Sequence, residues 1–225
     1  MIRAPEALAI VGLGGLAWWV YGQMQQIQAA QDEAEAPDLP FFDPWGDIAA
    51  VASDLQVSMT NDQRAAGNEA AFLKVIRHAE GTAGLNGYRT RFGGATFPSL
   101  ADHPRIATQF TDKAGKRLWT SAAGAYQFMA VSPIPGGGST KVNTWDRIKS
   151  KLSLPDFSPA SQDLAALELI REAGALPDVR SGRFSDAINK VRGIWASLPG
   201  AGYAQPEKSL PELAAVFQRN GGVFA

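Results

Sequence analysis

Glu80 draws attention because so little else in this sequence can do chemistry. The 225 residues include no cysteine and only two histidines, His78 and His103. A thiolate zinc site is excluded, and a three-ligand catalytic zinc would need carboxylates at a spacing such as HExxH, which is missing. There is no GxSxG for a serine nucleophile, and "GGGSTK" breaks the GxxxxGK[ST] order of a phosphate loop. What remains is acid catalysis by a carboxyl group. In "FLKVIRHAEGT", residues 72 to 82, Phe72, Val75, Ile76 and Ala79 recur at helical spacing and form one buried face. Glu80 stands one residue past that face, at the rim between core and solvent, with Gly81 directly after it. The C-terminal end of a helix is its negative end and disfavours a carboxylate. A carboxyl placed there is a candidate for a raised pKa, able to hold a proton at neutral pH and give it away. His78 lies two residues earlier on another face of the helix and reads as a surface histidine.

The elements that must position Glu80 follow from periodicity and turn signals. "YRTRFGGATF" reads as a hairpin with Gly93 and Gly94 in its turn, so a small sheet comes after the acid. Beyond Tyr126 the chain turns helical. Ser158 and Pro159 open "ASQDLAALELIREAG", Ser185 caps "DAINKVRGIW", and Ser209 with Glu212 forms a capping box for "PELAAVFQRN". The fold class is α+β, mainly helical with one minor sheet, in a domain spanning residues 68–225.

Ahead of that domain the composition changes twice. Residues 7 to 30 carry no charge, and "ALAIVGLGGLAWWVYG" ends in the Trp18, Trp19 and Tyr21 cluster that a membrane interface favours. Only the Gln-rich continuation brings this run to the roughly 20 residues of a comfortable span. "YGQMQQIQAAQ" lacks a good cleavage site, so residues 1–30 read as an uncleaved signal anchor, one transmembrane helix with Arg3 on the inner side. Residues 31–67 read as an acidic, proline-interrupted tether, largely extended, with a short helix in "DIAAVASDLQ". From Glu6 to Asp54 there are eight acids and no Lys or Arg, whereas from Asp62 onward 20 Lys and Arg face 14 acids. A domain with an excess of six positive charges suits a polyanionic substrate or surface, whether peptidoglycan, nucleic acid or anionic lipid.

The blocks "RHAEGT", "GGATFPSLADHPR", "SAAGAYQF", "LPDFSPASQDLAAL" and "IWASLPGAGYAQ" run in this order from about Glu69 to Gly222. In them the chain resembles the lambda-type phage endolysins, lytic transglycosylases with a lysozyme-like fold. The resemblance implies peptidoglycan as substrate and partner, no nucleic acid, no cofactor and no metal, a monomer, and Glu80 as the catalytic acid. Breaking a glycosidic bond needs an acid to protonate the leaving oxygen, and a hydrolase adds a second carboxylate. In phage muramidases an aspartate stands nine residues after the glutamate, and here that position is Arg89. A transglycosylase needs no second acid, because the C6 hydroxyl of N-acetylmuramic acid attacks its own C1 and leaves a 1,6-anhydro end.

"GAYQ", residues 124 to 127, resembles the Gly-x-x-Gln block of lytic transglycosylases, which implies that Gln127 faces the sugar while Tyr126 either stacks on a ring or serves as a core aromatic. "LPGAGY" reads as a loop that brings Tyr203 close to the glycan. Residues 132 to 144, "SPIPGGGSTKVNT", are longer than the family's link and form a flap or a surface loop. Two rival readings stay open: a hydrolysing muramidase using Glu80 with Asp102 or Asp146, and a virion-associated peptidoglycan-binding or structural protein. With the anchor, the expected location is the host inner membrane, single-pass, with the catalytic domain periplasmic; release to the periplasm or carriage in the virion are the other delivery routes.

Overall fold

The computed structural model describes residues 44–112, 115–202 and 206–225, and the side chains from residue 60 onward. By packing, the chain divides into residues 1–54 and residues 55–225, and the division falls inside the first helix. That helix, α1, runs Pro44–Ala79. Pro44 occupies the first turn, where its missing N–H costs nothing, and no further proline follows before the helix ends. The Ala, Leu, Gln, Glu and Lys of this stretch are good helix formers. Residues 44–67 are therefore helical where an extended tether was expected. The rest of that tether and the expected anchor, residues 1–43, lie outside the described residues, and no described helix is long and apolar enough to cross a membrane.

A 3-10 turn at Gly87–Arg89 follows α1. The expected hairpin around Gly93 and Gly94 is present only as a single bridge, Thr90 to Thr96, closed by Arg91 N–H to the Ala95 carbonyl at 2.8 Å. The sheet itself lies later in the chain. Strands β1 (Thr108–Thr111) and β2 (Arg117–Thr120) pair antiparallel, with Gln109 opposite Trp119 and Phe110 opposite Leu118. Five more helices follow: α2 (Thr144–Leu152), α3 (Pro159–Glu172), α4 (Leu176–Ser181), α5 (Phe184–Val191) and α6 (Leu210–Arg219).

Ser158 caps α3 by accepting from the N–H of Ser161, and Ser209 caps α6 by accepting from that of Glu212. The carboxylate of Glu212 is held by His78 and Lys208. Ser185 does not cap α5, which begins one residue earlier behind Arg183. Buried Phe184 sets that start, since its ring packs against Phe72, Phe217 and Phe224. Residues 132–144 close on themselves through a Pro133–Ser139 bridge, and buried Ser132 and Thr140 pin the base of this loop to Ala130.

The core of residues 55–225 gathers the apolar face of α1 (Phe72, Val75, Ile76, Ala79) with Trp145, Phe157, Ile188, Trp195 and Phe217. Trp145 and Phe157 meet edge to face at 4.5 Å between centroids. Asp102 and Asp146 belong to the support of this core. Trp145 Nε1 donates to Asp102 at 3.1 Å and Lys149 at 2.9 Å, while Arg105 bridges Asp102 and Asp146. These donors hold the Asp102 carboxyl well below the usual carboxylate range, against the opposing effect of its partial burial. His103, also buried, places Nε2 2.9 Å from the Phe128 carbonyl and accepts the Arg105 N–H at Nδ1.

Candidate active site

The turn after α1 decides where Glu80 points. The Gly81 N–H reaches the carbonyl of His78 and the Thr82 N–H that of Arg77, at 3.1 and 2.8 Å. These are the paired bonds of a Schellman motif, with Gly81 at φ 72° in the left-handed conformation that a glycine adopts without strain. Glu80 is thus the capping residue, out of the helix but still bonded through its N–H to Ile76 at 2.9 Å. Thr82, buried, brings its hydroxyl within 2.5 Å of the Ala125 carbonyl and so fixes the turn to the 124–127 segment. In "EGT" the glycine reverses the chain and the threonine attaches the turn, which leaves the acid lining the cleft.

Glu80 lines a cleft of about 620 Å³. Phe92, Phe110 and Trp119 present partly exposed rings to it, with Arg91, Gln127, Ser197 and Lys208 among the polar groups. Among the described residues that line this cleft, Glu80 is the only acid. Burial pushes its pKa up, and hydrogen bonding from Ser197 opposes that rise in part. The Ser197 hydroxyl donates to Glu80 Oε1 at 2.5 Å across 117 residues of sequence. Ser197 was not singled out from the sequence, since a serine in a turn-rich stretch gives no sign of a partner so far away.

Gln127 lines the cleft. Its Nε2 donates to the carbonyls of Gly124 at 2.9 Å and Thr90 at 3.2 Å, so both amide N–H groups are engaged. The side chain then offers a ligand its carbonyl oxygen, an acceptor for a sugar hydroxyl or an acetamido N–H. Tyr126 does not join it. Its ring is 1 % exposed, in the core beside Phe128, and its hydroxyl donates to Asp163 at 2.6 Å, so ring stacking on a sugar is ruled out. Tyr203 lies outside the described residues. Neither Asp102 nor Asp146 lines the cleft, and none of the residues 132–144 does. Arg89 turns to the carbonyl of Pro98.

Residues 70–224 match the endolysin family. The chain belongs to the endolysin family. An endolysin of Escherichia phage P2 is 39% identical over 171 residues, which cover 70% of this chain and 95% of that protein. The endolysin of Escherichia phage lambda is 38% identical over 158 residues, covering 68% and 90%. Two solved structures of bacteriophage lambda lysozyme, one complexed with a chitohexasaccharide, superpose with TM-scores of 0.61 and 0.58 at 36% identity, over 71% of this chain and 97% of each of those. The domain therefore has the lysozyme-like fold that the ordered sequence blocks imply, and this endolysin is a glycan-cleaving enzyme of the lambda type.

Proposed function

We propose that this endolysin is a lytic transglycosylase that cleaves the β-1,4 bond between N-acetylmuramic acid and N-acetylglucosamine in peptidoglycan. The observation that carries this reading is a cleft with one carboxyl group among the described residues, whose pKa burial raises. Glu80 gives its proton to the leaving oxygen, O4 of N-acetylglucosamine, as the bond from that oxygen to C1 breaks. The resulting carboxylate then takes the proton of the muramic acid C6 hydroxyl while that oxygen bonds to C1. The products are a free 4-hydroxyl and a 1,6-anhydro ring, no water is consumed, and Glu80 ends protonated as it began. A hydrolysing enzyme would need a second carboxylate or an equivalent base for water, and Asp102 and Asp146 are committed to Arg105, Lys149 and Trp145.

Mass spectrometry of muropeptides released from sacculi tests the reading. Anhydro ends are expected; reducing ends would establish a muramidase, and no products would establish a binder. Glu80→Gln should abolish cleavage while sacculus binding stays near that of the parent, and substantial residual cleavage would overturn the single-acid mechanism. For delivery, residues 1–30 serve as the membrane anchor and hold the catalytic domain on the periplasmic face of the host inner membrane for lysis. The full-length protein should then sediment with inner membranes, and an N-terminus beginning after residues 20 to 36 would refute retention.

A further inference from the structure

Beside the catalytic cleft is a second concavity of about 310 Å³, between the C-terminal ends of α1 and α6, and its lining is basic. Lys74, Arg77 and His78 come from one face of α1, and Arg219 with Asn220 from the end of α6. Among the described residues no carboxylate lines it. His78 is met by Glu212 at 2.7 Å, but that acid is shared with Lys208. Arg77 and Arg219 bond neutral oxygens: Arg77 the Tyr88 hydroxyl and the Thr82 carbonyl, Arg219 the Ala215 carbonyl. Neither they nor Lys74 form an ion pair among the described residues. The Arg77 Nε–H is buried with no acceptor.

Cations at helix C-termini are favoured by the helix dipoles, which accounts for their sign. It does not account for their convergence on a concavity without an acid. The concavity and the cleft are also joined. Lys208 lines the cleft and lies 3.2 Å from Glu212, which in turn holds His78 of the concavity. Ala83 of the concavity follows Thr82 of the cleft directly in the chain. The two depressions are thus lined by neighbouring residues, 79 to 82 in the cleft and 77, 78 and 83 in the concavity.

We propose that this basic concavity is a subsite for the carboxylates of the peptide stem carried by N-acetylmuramic acid, so that the enzyme reads the peptide as well as the glycan. The proposal rests on peptidoglycan being the substrate, and it extends recognition from the sugar chain to its anionic branch. Lys74 and Arg219 are exposed and supply the adjustable part of the site, while Arg77 is tied into the turn below Glu80.

The test compares two purified substrates: glycan strands that keep their stem peptides, and the same strands stripped of them by an amidase. Lys74→Gln combined with Arg219→Gln should raise KM on peptide-bearing strands by about tenfold, and leave KM on stripped strands unchanged. Lys141→Gln, an equal loss of charge per site in a loop away from the cleft, should change neither. Binding of the same strands to the Glu80→Gln protein, with and without the two charge changes, reads affinity without turnover. An equal effect on both substrates, no effect on either, or the same effect from Lys141→Gln would overturn the subsite. Failure of the peptidoglycan reading has a different signature, in which the unaltered enzyme cleaves neither substrate.

Discussion

At Glu80 two opposing influences meet in one carboxyl group. Burial raises its pKa, and the Ser197 hydroxyl, donating to Oε1 at 2.5 Å, favours the charged form. The proposed mechanism, in which one carboxyl group first donates and later accepts a proton, calls for both. Ser197→Ala removes the opposing influence, so the alkaline limb of the pH-rate profile should move to higher pH. Turnover at neutral pH should fall by roughly tenfold, the rate equivalent of one charge-assisted hydrogen bond. Ser197→Thr should restore both, and an unmoved alkaline limb in the alanine variant would show that Ser197 does not act on the acid. The same raised pKa has a consequence for stability. The folded state holds the Glu80 proton more tightly than the unfolded chain does. Between the ordinary carboxylate range and the raised value it therefore binds more protons, and stability falls as pH rises. Glu80→Gln lacks that contribution, so in urea unfolding the variant should gain on the parent as pH increases through this window. Parallel curves would contradict the shift.

The elements around the acid are held by buried polar side chains. Gln162, fully buried, accepts the Ala125 N–H at 2.8 Å and donates to the carbonyls of Tyr88 and Phe157. That grip brings Gly124 so close that an added Cβ would lie 2.3 Å from Gln162 Oε1 and 2.8 Å from the Phe157 ring, at φ 80°. The first residue of "GAYQ" is a glycine for this reason, and Gly124→Ala should cost roughly 2–5 kcal/mol from steric overlap and left-handed strain together. Thermal unfolding checks it, and a loss under 1 kcal/mol would mean that the segment yields. From the far side, Trp195 Nε1 donates to the Tyr126 carbonyl at 3.1 Å, two residues before Ser197. The 124–127 segment is thus the common support of Thr82, next to the acid, and of the chain that carries Ser197.

For the whole molecule the charge separation along the sequence is the leading feature. If the excess of six positive charges from Asp62 onward helps hold an anionic wall, sacculus binding by residues 55–225 should weaken as salt rises. Exposed attractions are screened beyond about 10 Å at 0.1 M ionic strength. Turnover of short soluble glycans should change far less. A cosedimentation series from low to high salt checks this, and equal salt sensitivity of both reactions would assign the effect to the active site.

Local signals are sufficient for part of this protein. The periodic face of α1, the glycine that reverses the chain after Glu80 and the serine caps of α3 and α6 depend on neighbours within a few residues, so they are legible in the sequence. The absence of other chemistry isolates Glu80, and the ordered blocks carry the family. Helix α1 extends back to Pro44 because helix propensity continues through a stretch whose acidity suggests a spacer. The short β1–β2 pair is easily overlooked beside the more conspicuous double glycine at 93 and 94. What only the tertiary structure decided rests on contacts distant in sequence. Ser197 meets Glu80 across 117 residues, Tyr126 is drawn inward to Asp163, Asp146 is engaged by Arg105 and Asp102 by Lys149. Whether a polar side chain serves the cleft or the core is set by which distant partner satisfies it once water is excluded, and one-dimensional spacing does not contain that partner.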